Sequence, residues 1–430
     1  MKILFISEYY PPKVMGGGEI NVALIAEELS RQKHEVLVLT SKISGFPKEE
    51  ISKGVIVYRR VKTGRSASTL WGNFQRRFFF PHSLVREAIA LITEKSPDIV
   101  HCIGTSIIAA PEIKKYCRTL FATVESYPAL CPKGDRLYHG TGECKTICTL
   151  KKFLPCQKDS AEIGKMENKW YFKYNPLFLW LVYRQYQQLN NALFSCRLVA
   201  ISSYVQSLLQ HHALKSVVVP NAFDAAPFSA TCKTSKNSIP VVIYVGALLR
   251  SKGPQVLVEA LKGIPCRCEL YGEGILKEQL QRAIKRDTID AEIFPPLPYE
   301  KMPEVYTKAD VIVFPSLWPE PFGRVPLEAM AARKPLIASD TGAIPSIVNK
   351  ETILVPPGDS RALHKALTKV LSDRCSYSEP SLANYHCTII AKKLSEEYKK
   401  EKEKFLEKSN SIHSCSASRF AHRNTNSINF

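Results

Sequence analysis

The sequence has no stretch able to span a bilayer. Its longest strictly apolar run, Leu177 to Tyr183, has seven members, against roughly 18 for a transmembrane helix. A secretory leader is not expected either, because after Lys2 only Ile3 to Ile6 are apolar before Glu8 ends the run. Acidic residues are few beside basic ones, 40 against 59, for a net charge of +19. That balance favours anionic partners: nucleotide phosphates, anionic lipid head groups or nucleic acid. The basic residues form no dense block and no nucleic-acid recognition motif is visible, so nucleic acid is set aside. Thirteen cysteines are an odd number, which argues against a complete disulfide set; they read as reduced thiols or a metal site in the cytosol. With 45% hydrophobic and 23% charged residues, the chain is not largely disordered or collagen-like.

A chain of 430 residues exceeds what one hydrophobic core usually serves, so two domains are expected. Lys2 to Ser7 is a short apolar run of buried parallel-strand type. Gly16-Gly17-Gly18 follows it, and then Val22, Ile25, Ala26 and Leu29 fall on one helix face. Further strands are expected at His34 to Thr40, Val55 to Tyr58, Ile99 to Ile103 and Thr119 to Val124. The second half repeats the alternation at Val241 to Val245, Glu269 to Tyr271, Val311 to Phe314, Pro335 to Ser339 and Ile353 to Val355. Alternating strands and helices make this an α/β protein with two doubly wound parallel sheets, Rossmann-like, facing a cleft. The expected boundaries are 1–219 for the first domain, 220–240 for a linker and 241–380 for the second domain. A helical, charged segment follows over 381–408, and a Ser- and Asn-rich tail over 409–430 is expected to be disordered.

Chemistry concentrates between Phe314 and Pro345. Glu320 and Glu328 lie eight positions apart, the first in a turn and the second near the start of a helix that begins at about Val325. Carboxylates accept hydrogen bonds from sugar and ribose hydroxyls. The Phe322 and Gly323 amides, at the positive end of that helix, suit a sugar or phosphate oxygen. The glycine turn at Gly16, Gly17 and Gly18 likewise presents bare amides to an anion.

This stretch resembles the Glu-x7-Glu signature of retaining glycosyltransferases of family 4, which have the GT-B fold. Pro11 to Glu19 resembles that family's N-terminal glycine loop, Asp98 to His101 its strand end, and Val245-Gly246 through Lys252-Gly253 its phosphate-binding loop. The resemblance spans roughly residues 1 to 405. It implies sugar transfer from a nucleotide diphosphate donor with retention, without a required metal cofactor. It implies that Glu328 binds the donor's ribose, Glu320 engages the donor sugar, and the Phe322 and Gly323 amides hold sugar hydroxyls. Lys252 would neutralise the diphosphate, where a fixed cation is worth most, assisted by Gly246 and the Gly16 to Gly18 amides. The acceptor, a glycan or lipid-linked hydroxyl, would sit on the N-terminal domain, and the product would be a surface polysaccharide or glycolipid.

Two departures stand out. The arginine that often follows the first glycine of the phosphate loop is Ala247 here, so Arg250 is a substitute candidate for the diphosphate. At the family's strand-end histidine stands Glu125, which keeps an acceptor-side role as a hydrogen-bond or proton acceptor. His101 is a further catalytic candidate. These departures also motivate an alternative: a nucleotide-sugar-binding protein that has lost catalysis. Cys131, Cys144, Cys148 and Cys156 cluster in an insertion and are a candidate structural zinc site. Trp71 to Phe80 and Trp170 to Tyr186 combine aromatics with basic residues, which suits peripheral contact with an anionic membrane at the inner face of the cell membrane.

Overall fold

A computed structural model of the chain describes residues 1–14, 16–63, 70–138, 142–158, 174–230, 238–373 and 382–421. The strands are β1 (Lys2–Ser7), β2 (Glu35–Ser41), β3 (Glu49–Ser52), β4 (Val55–Val61), β5 (Ile99–Ile103) and β6 (Leu120–Val124). A small hairpin, β7 (Leu137–Tyr138) and β8 (Gly142–Glu143), precedes β9 (Arg197–Ala200) and β10 (Ser216–Val218). The second half contributes β11 (Val241–Val245), β12 (Arg267–Tyr271), β13 (Ala291–Phe294), β14 (Val311–Phe314), β15 (Leu336–Ser339) and β16 (Ile353–Val355).

The first sheet runs β10-β9-β6-β5-β1-β2-β4-β3 and the second β13-β12-β11-β14-β15-β16. All pairings are parallel except β3 with β4 and the hairpin. The central strands are apolar on both faces because helices cover both. Ile3, Leu4, Phe5 and Ile6 of β1 are all within 1% of complete burial. Leu4 and Ile6 join one core layer, and Ile3 and Phe5 the layer on the opposite face. The first of these layers continues from the N-terminal sheet into Phe314, Leu327 and Met330 of the second half. β13 is a strand the sequence pattern does not announce: it is four residues long, at a sheet edge, and none of them is fully buried.

The chain crosses between the two sheets at 219–240 and returns near 382–386. The final helix, Cys387–Ala421, lays Ile390, Ala391, Leu394 and Tyr398 against the first domain's core. This helix continues through 409–421, where a disordered tail was expected; residues 422–430 lie outside the described ones, as does 231–237 of the expected linker.

Candidate active site

The loop from Pro315 to Gly323 organises the cleft. β14 is a buried four-residue strand. After it the chain turns through the prolines and enters the Arg324–Ala331 helix, with Gly323 at its N-cap. Two glycines fix the loop. Gly253 has a φ of +72°, and a Cβ there would lie 1.9 Å from the Pro315 carbonyl oxygen. Gly342 has a φ of +60°, and its Cβ would lie 2.4 Å from the Glu320 backbone nitrogen. Both positions therefore need a residue without a side chain, for space and for backbone conformation.

Glu320 is 5% exposed. Its Oε1 accepts from Lys252 Nζ at 2.8 Å and from Ser316 Oγ at 2.7 Å. Lys252 also lies over the Trp318 ring, 4.4 Å from its centroid. Lys252 closes the short helical turn Arg250–Lys252, which follows β11 and Gly246; Arg250 on the same turn is exposed to solvent. A buried carboxylate paired with a lysine beside a strand end can hold a polar, partly anionic ligand, because burial strengthens each contact.

Glu328 is 3% exposed and accepts from the Tyr306 hydroxyl at 2.7 Å. Arg324 Nε stands 3.6 Å from its other oxygen. Burial raises its pKa, and Arg324 and the Tyr306 hydroxyl pull the other way.

The N-terminal glycine loop faces this region. A Cβ at Gly17 would lie 3.4 Å from Arg324 Cδ, and one at Gly18 would lie 2.5 Å from Glu125 Oε2. Gly16 donates its amide to Glu19, closing the N-terminus of the Gly17–Arg31 helix. Asn21 Nδ2 donates to Glu125 Oε1 at 3.3 Å, and its own Oδ1 accepts from the Ala222 amide at 2.7 Å. Burial pushes the Glu125 carboxyl up to about 7, against the opposing Asn21 bond.

The halves also touch directly. The Tyr127 hydroxyl donates to the Pro319 carbonyl, Ser202 Oγ donates to the Pro321 carbonyl at 2.7 Å, and the Tyr127 and Trp318 rings meet edge-on at 5.6 Å. Phe322 packs against Tyr385 at 5.9 Å.

The structure thus brings Lys252, Glu320, Phe322, Gly323 and Glu328 into one stretch of the second domain, with Gly17, Gly18 and Glu125 opposite. It does not bring His101 there. His101 is fully buried in β5, with Nδ1 against the Tyr398 hydroxyl and Nε2 2.7 Å from Thr123 Oγ1. Its ring packs on Phe5 and Phe121, and burial lowers its pKa to about 3. A neutral imidazole with both nitrogens engaged beneath the C-terminal helix is a packing residue, so the catalytic expectation for His101 is corrected.

The candidate zinc site is not shown by the structure. Cys131, Cys144, Cys148 and Cys156 line one small cavity. Among the described residues, however, no three His, Cys, Asp or Glu side chains stand as a metal-binding group. Three of the thiols turn to separate backbone carbonyls: Cys144 to Thr146, Cys148 to Thr149 and Cys156 to Leu137. Burial raises the Cys131 and Cys148 thiols, Cys148 to about 12.

Sequence reasoning missed Tyr306, Ser316, Asn21, Tyr127 and Gly342. Ser316 and Gly342 lie within or beside the recognised stretch and could have been flagged there. The other three reach the site from distant segments.

Two α/β domains thus meet at the carboxyl ends of their strands, where the half-buried Lys252 pairs with the buried Glu320 and a second glutamate, Glu328, is buried. Residues 15–226 match the model of Glycosyltransferase Family 4, and residues 233–386 that of Glycosyl transferases group 1. The chain belongs to the glycosyltransferases of GT-B type. It is 25% identical over 403 residues to an uncharacterized glycosyltransferase of Methanocaldococcus jannaschii, covering 87% of this chain and 90% of that one. It is 25% identical over 395 residues to the glycogen synthase of Mycobacterium tuberculosis, covering 87% and 86%. Among solved structures, the sucrose-phosphate synthase of Thermosynechococcus elongatus superposes with a TM-score of 0.66 at 19% identity, over 97% of this chain and 99% of that one. Anabaena HepE in complex with UDP superposes at 0.55 and 18% identity, over 96% and 100%. No described helix is long and apolar enough to cross a membrane.

Proposed function

We propose that the protein is a retaining, hexosyltransferase-like enzyme that moves a sugar from a nucleotide diphosphate donor to a hydroxyl of a glycan or lipid-linked acceptor, without a catalytic metal. The observation that carries this reading is the Lys252–Glu320–Ser316 cluster, whose Glu320 and Ser316 are buried, with Glu328 buried in the second turn of the next helix. Lys252 faces the diphosphate and stabilises the charge that develops as it leaves. Glu320 and the Phe322 and Gly323 amides hold the donor sugar's hydroxyls, and Glu328 accepts from the ribose. Gly16, Gly17, Gly18 and Gly246 let the backbone approach the phosphates. Arg250 is placed to add charge there in the bound state. Glu125 accepts a hydrogen bond or a proton from the acceptor hydroxyl. Solved relatives of this fold hold UDP or ADP, which supports a nucleotide donor.

The work of such an enzyme is the synthesis of a cell-surface polysaccharide or glycolipid, performed in the cytoplasm at the inner face of the membrane. Phe79, Leu177 and Trp180 support that location: they stand 52%, 65% and 48% exposed on two helices of the first domain. Trp170 to Lys173 of the second aromatic segment lie outside the described residues. Ala247 and Glu125 favour a second reading, a GT-B protein that binds the nucleotide sugar without turning it over.

The test is the thermal shift of the protein with UDP, GDP, ADP and dTDP, alongside Glu328→Ala. A ligand at about 100 times its Kd stabilises the fold by roughly 2.7 kcal/mol. One nucleotide should shift the wild type and not the variant. No shift with any of them would refute the donor-site assignment. A shift without turnover of any nucleotide sugar would favour the second reading.

A further inference from the structure

We infer that Arg324 is a donor-binding residue, whose guanidinium takes the phosphate joined to the ribose. This rests on the transferase reading above and adds to it the side chain that holds that phosphate.

Arg324 opens the Arg324–Ala331 helix of the second domain, yet its side chain lies against the first. A Cβ at Gly17 would stand 3.4 Å from Arg324 Cδ, so the aliphatic stem runs beside the glycine turn. Gly17 begins the 15-residue helix Gly17–Arg31. The first amides of a helix have no partner within it, and its dipole favours an anion at that end. One neighbouring donor is already taken, since Gly16 gives its amide to the Glu19 carboxylate at 2.9 Å. A guanidinium from one domain and the amino end of a helix from the other thus lie side by side, and both are donors. A phosphate, with several acceptor oxygens and negative charge, bridges such a pair.

The guanidinium is underused as it stands. Its side chain is 16% exposed. Nη2 donates to the Tyr299 hydroxyl at 3.2 Å, and Nε is buried without a hydrogen-bond partner. Glu328 Oε1 is 3.6 Å from that Nε, longer than a hydrogen bond, while Glu328 Oε2 takes the Tyr306 hydroxyl at 2.7 Å. Arg324 therefore balances the Glu328 charge without bonding to it. An unmade buried N–H costs free energy until an acceptor arrives. The rings of Tyr299 and Phe223, with centroids 5.1 and 5.8 Å from Arg324 Cζ, hold the guanidinium in place.

The order of groups along the site names the phosphate. A nucleotide sugar runs base, ribose, first phosphate, second phosphate, sugar. In the reading above Glu328 takes the ribose, and Lys252 with Glu320 takes the diphosphate where it meets the sugar. Arg324 is four residues before Glu328, one helical turn away on the same face, and it borders the glycine turn. The phosphate within its reach is the one next to the ribose.

The experiment takes the base whose diphosphate raises the melting temperature most and titrates its nucleoside, 5′-monophosphate and 5′-diphosphate: uridine, UMP and UDP, or the matching guanine, adenine or thymine set. Isothermal titration calorimetry reads the affinities, with displacement of the diphosphate for the weak nucleoside. Arg324→Gln should weaken the monophosphate and the diphosphate alike, about tenfold or more, and change the nucleoside less than about twofold. The ligand-free melting temperature reports folding of the variant. Arg324→Lys serves if Arg324→Gln unfolds: it keeps a charge beside Glu328 and loses the planar fork, so the same pattern is expected at about threefold or more. A nucleoside weakened by the same factor as its phosphates overturns the inference, because Arg324 then acts on the ribose through Glu328. A monophosphate left unchanged overturns it too, and both results leave the transferase reading standing. No binding of any diphosphate by the wild type removes both.

Discussion

Replacing Glu125 by glutamine changes how stability depends on pH, and the size of the effect follows from the site. The carboxyl sits where a Cβ at Gly18 would lie 2.5 Å from Oε2 and one at Gly104 would lie 3.7 Å away. Burial there moves its pKa from 4.5 to about 7. The folded state therefore holds the proton more tightly than the unfolded chain, so stability contributed by the neutral carboxyl falls as pH rises from about 4.5 through 7. A rise of that size corresponds to roughly 3 kcal/mol between acidic and alkaline limits. Glutamine keeps the oxygen that accepts from Asn21 Nδ2 and carries no charge. The difference in melting temperature, variant minus wild type, should be near zero at pH 5. It should grow to about 5 °C or more at pH 8.5, since each kcal/mol moves a domain of this size by about 2–4 °C. Differential scanning calorimetry across that range measures it. A difference that stays constant with pH would refute the reasoning. In turnover, the same variant should lose the pH limb near 7 if Glu125 accepts the acceptor's proton.

Other consequences can be measured singly. Lys252→Ala removes the cation 2.8 Å from Glu320 and should lower kcat/KM for the nucleotide sugar by about 10²–10³; steady-state kinetics reads this, and a loss below about fivefold speaks against the role. Tyr398→Phe leaves the buried Nδ1 of His101 without its hydroxyl and should cost about 1–3 kcal/mol of stability, with nucleotide affinity unchanged in calorimetric titration. A fall in affinity there would return His101 to the active site. Gly342→Ala forces a side chain into a φ of +60° and to 2.4 Å from the Glu320 nitrogen. It should abolish the nucleotide-induced thermal shift, or prevent folding, as circular dichroism distinguishes.

The recognised stretch was legible because its meaning is local. A strand end, a turn and a helix start place Glu320 and Glu328 with no help from distant chain. His101 was misread because β5 is buried on both faces, so its apolar pattern cannot tell which residues point to the cleft side. The structure sends Cys102 into one core layer, while His101 meets Tyr398 on the other. Tyr398 lies 297 positions away, beyond any periodicity. Tyr127, Tyr306 and Asn21 were silent for the same reason: each hydrogen bond that matters joins segments whose proximity only tertiary packing creates. The four cysteines were close in sequence and do share a cavity, but spacing does not encode where the sulfur atoms point.

The two domains are joined by two passages of chain, and these are tied to each other: the Phe223 amide donates to the Tyr385 carbonyl at 2.8 Å, and Tyr385 also touches Phe322 beside the donor loop. A single thread would let the halves swivel freely. Two threads laced side by side restrict that swivelling more than one thread would. The terminal helix is then a mechanical part of the machine as well as a cover for the first domain. Clipping it off would uncover the first domain's core at Ile390, Ala391, Leu394 and Tyr398 and remove one of the two links between the halves.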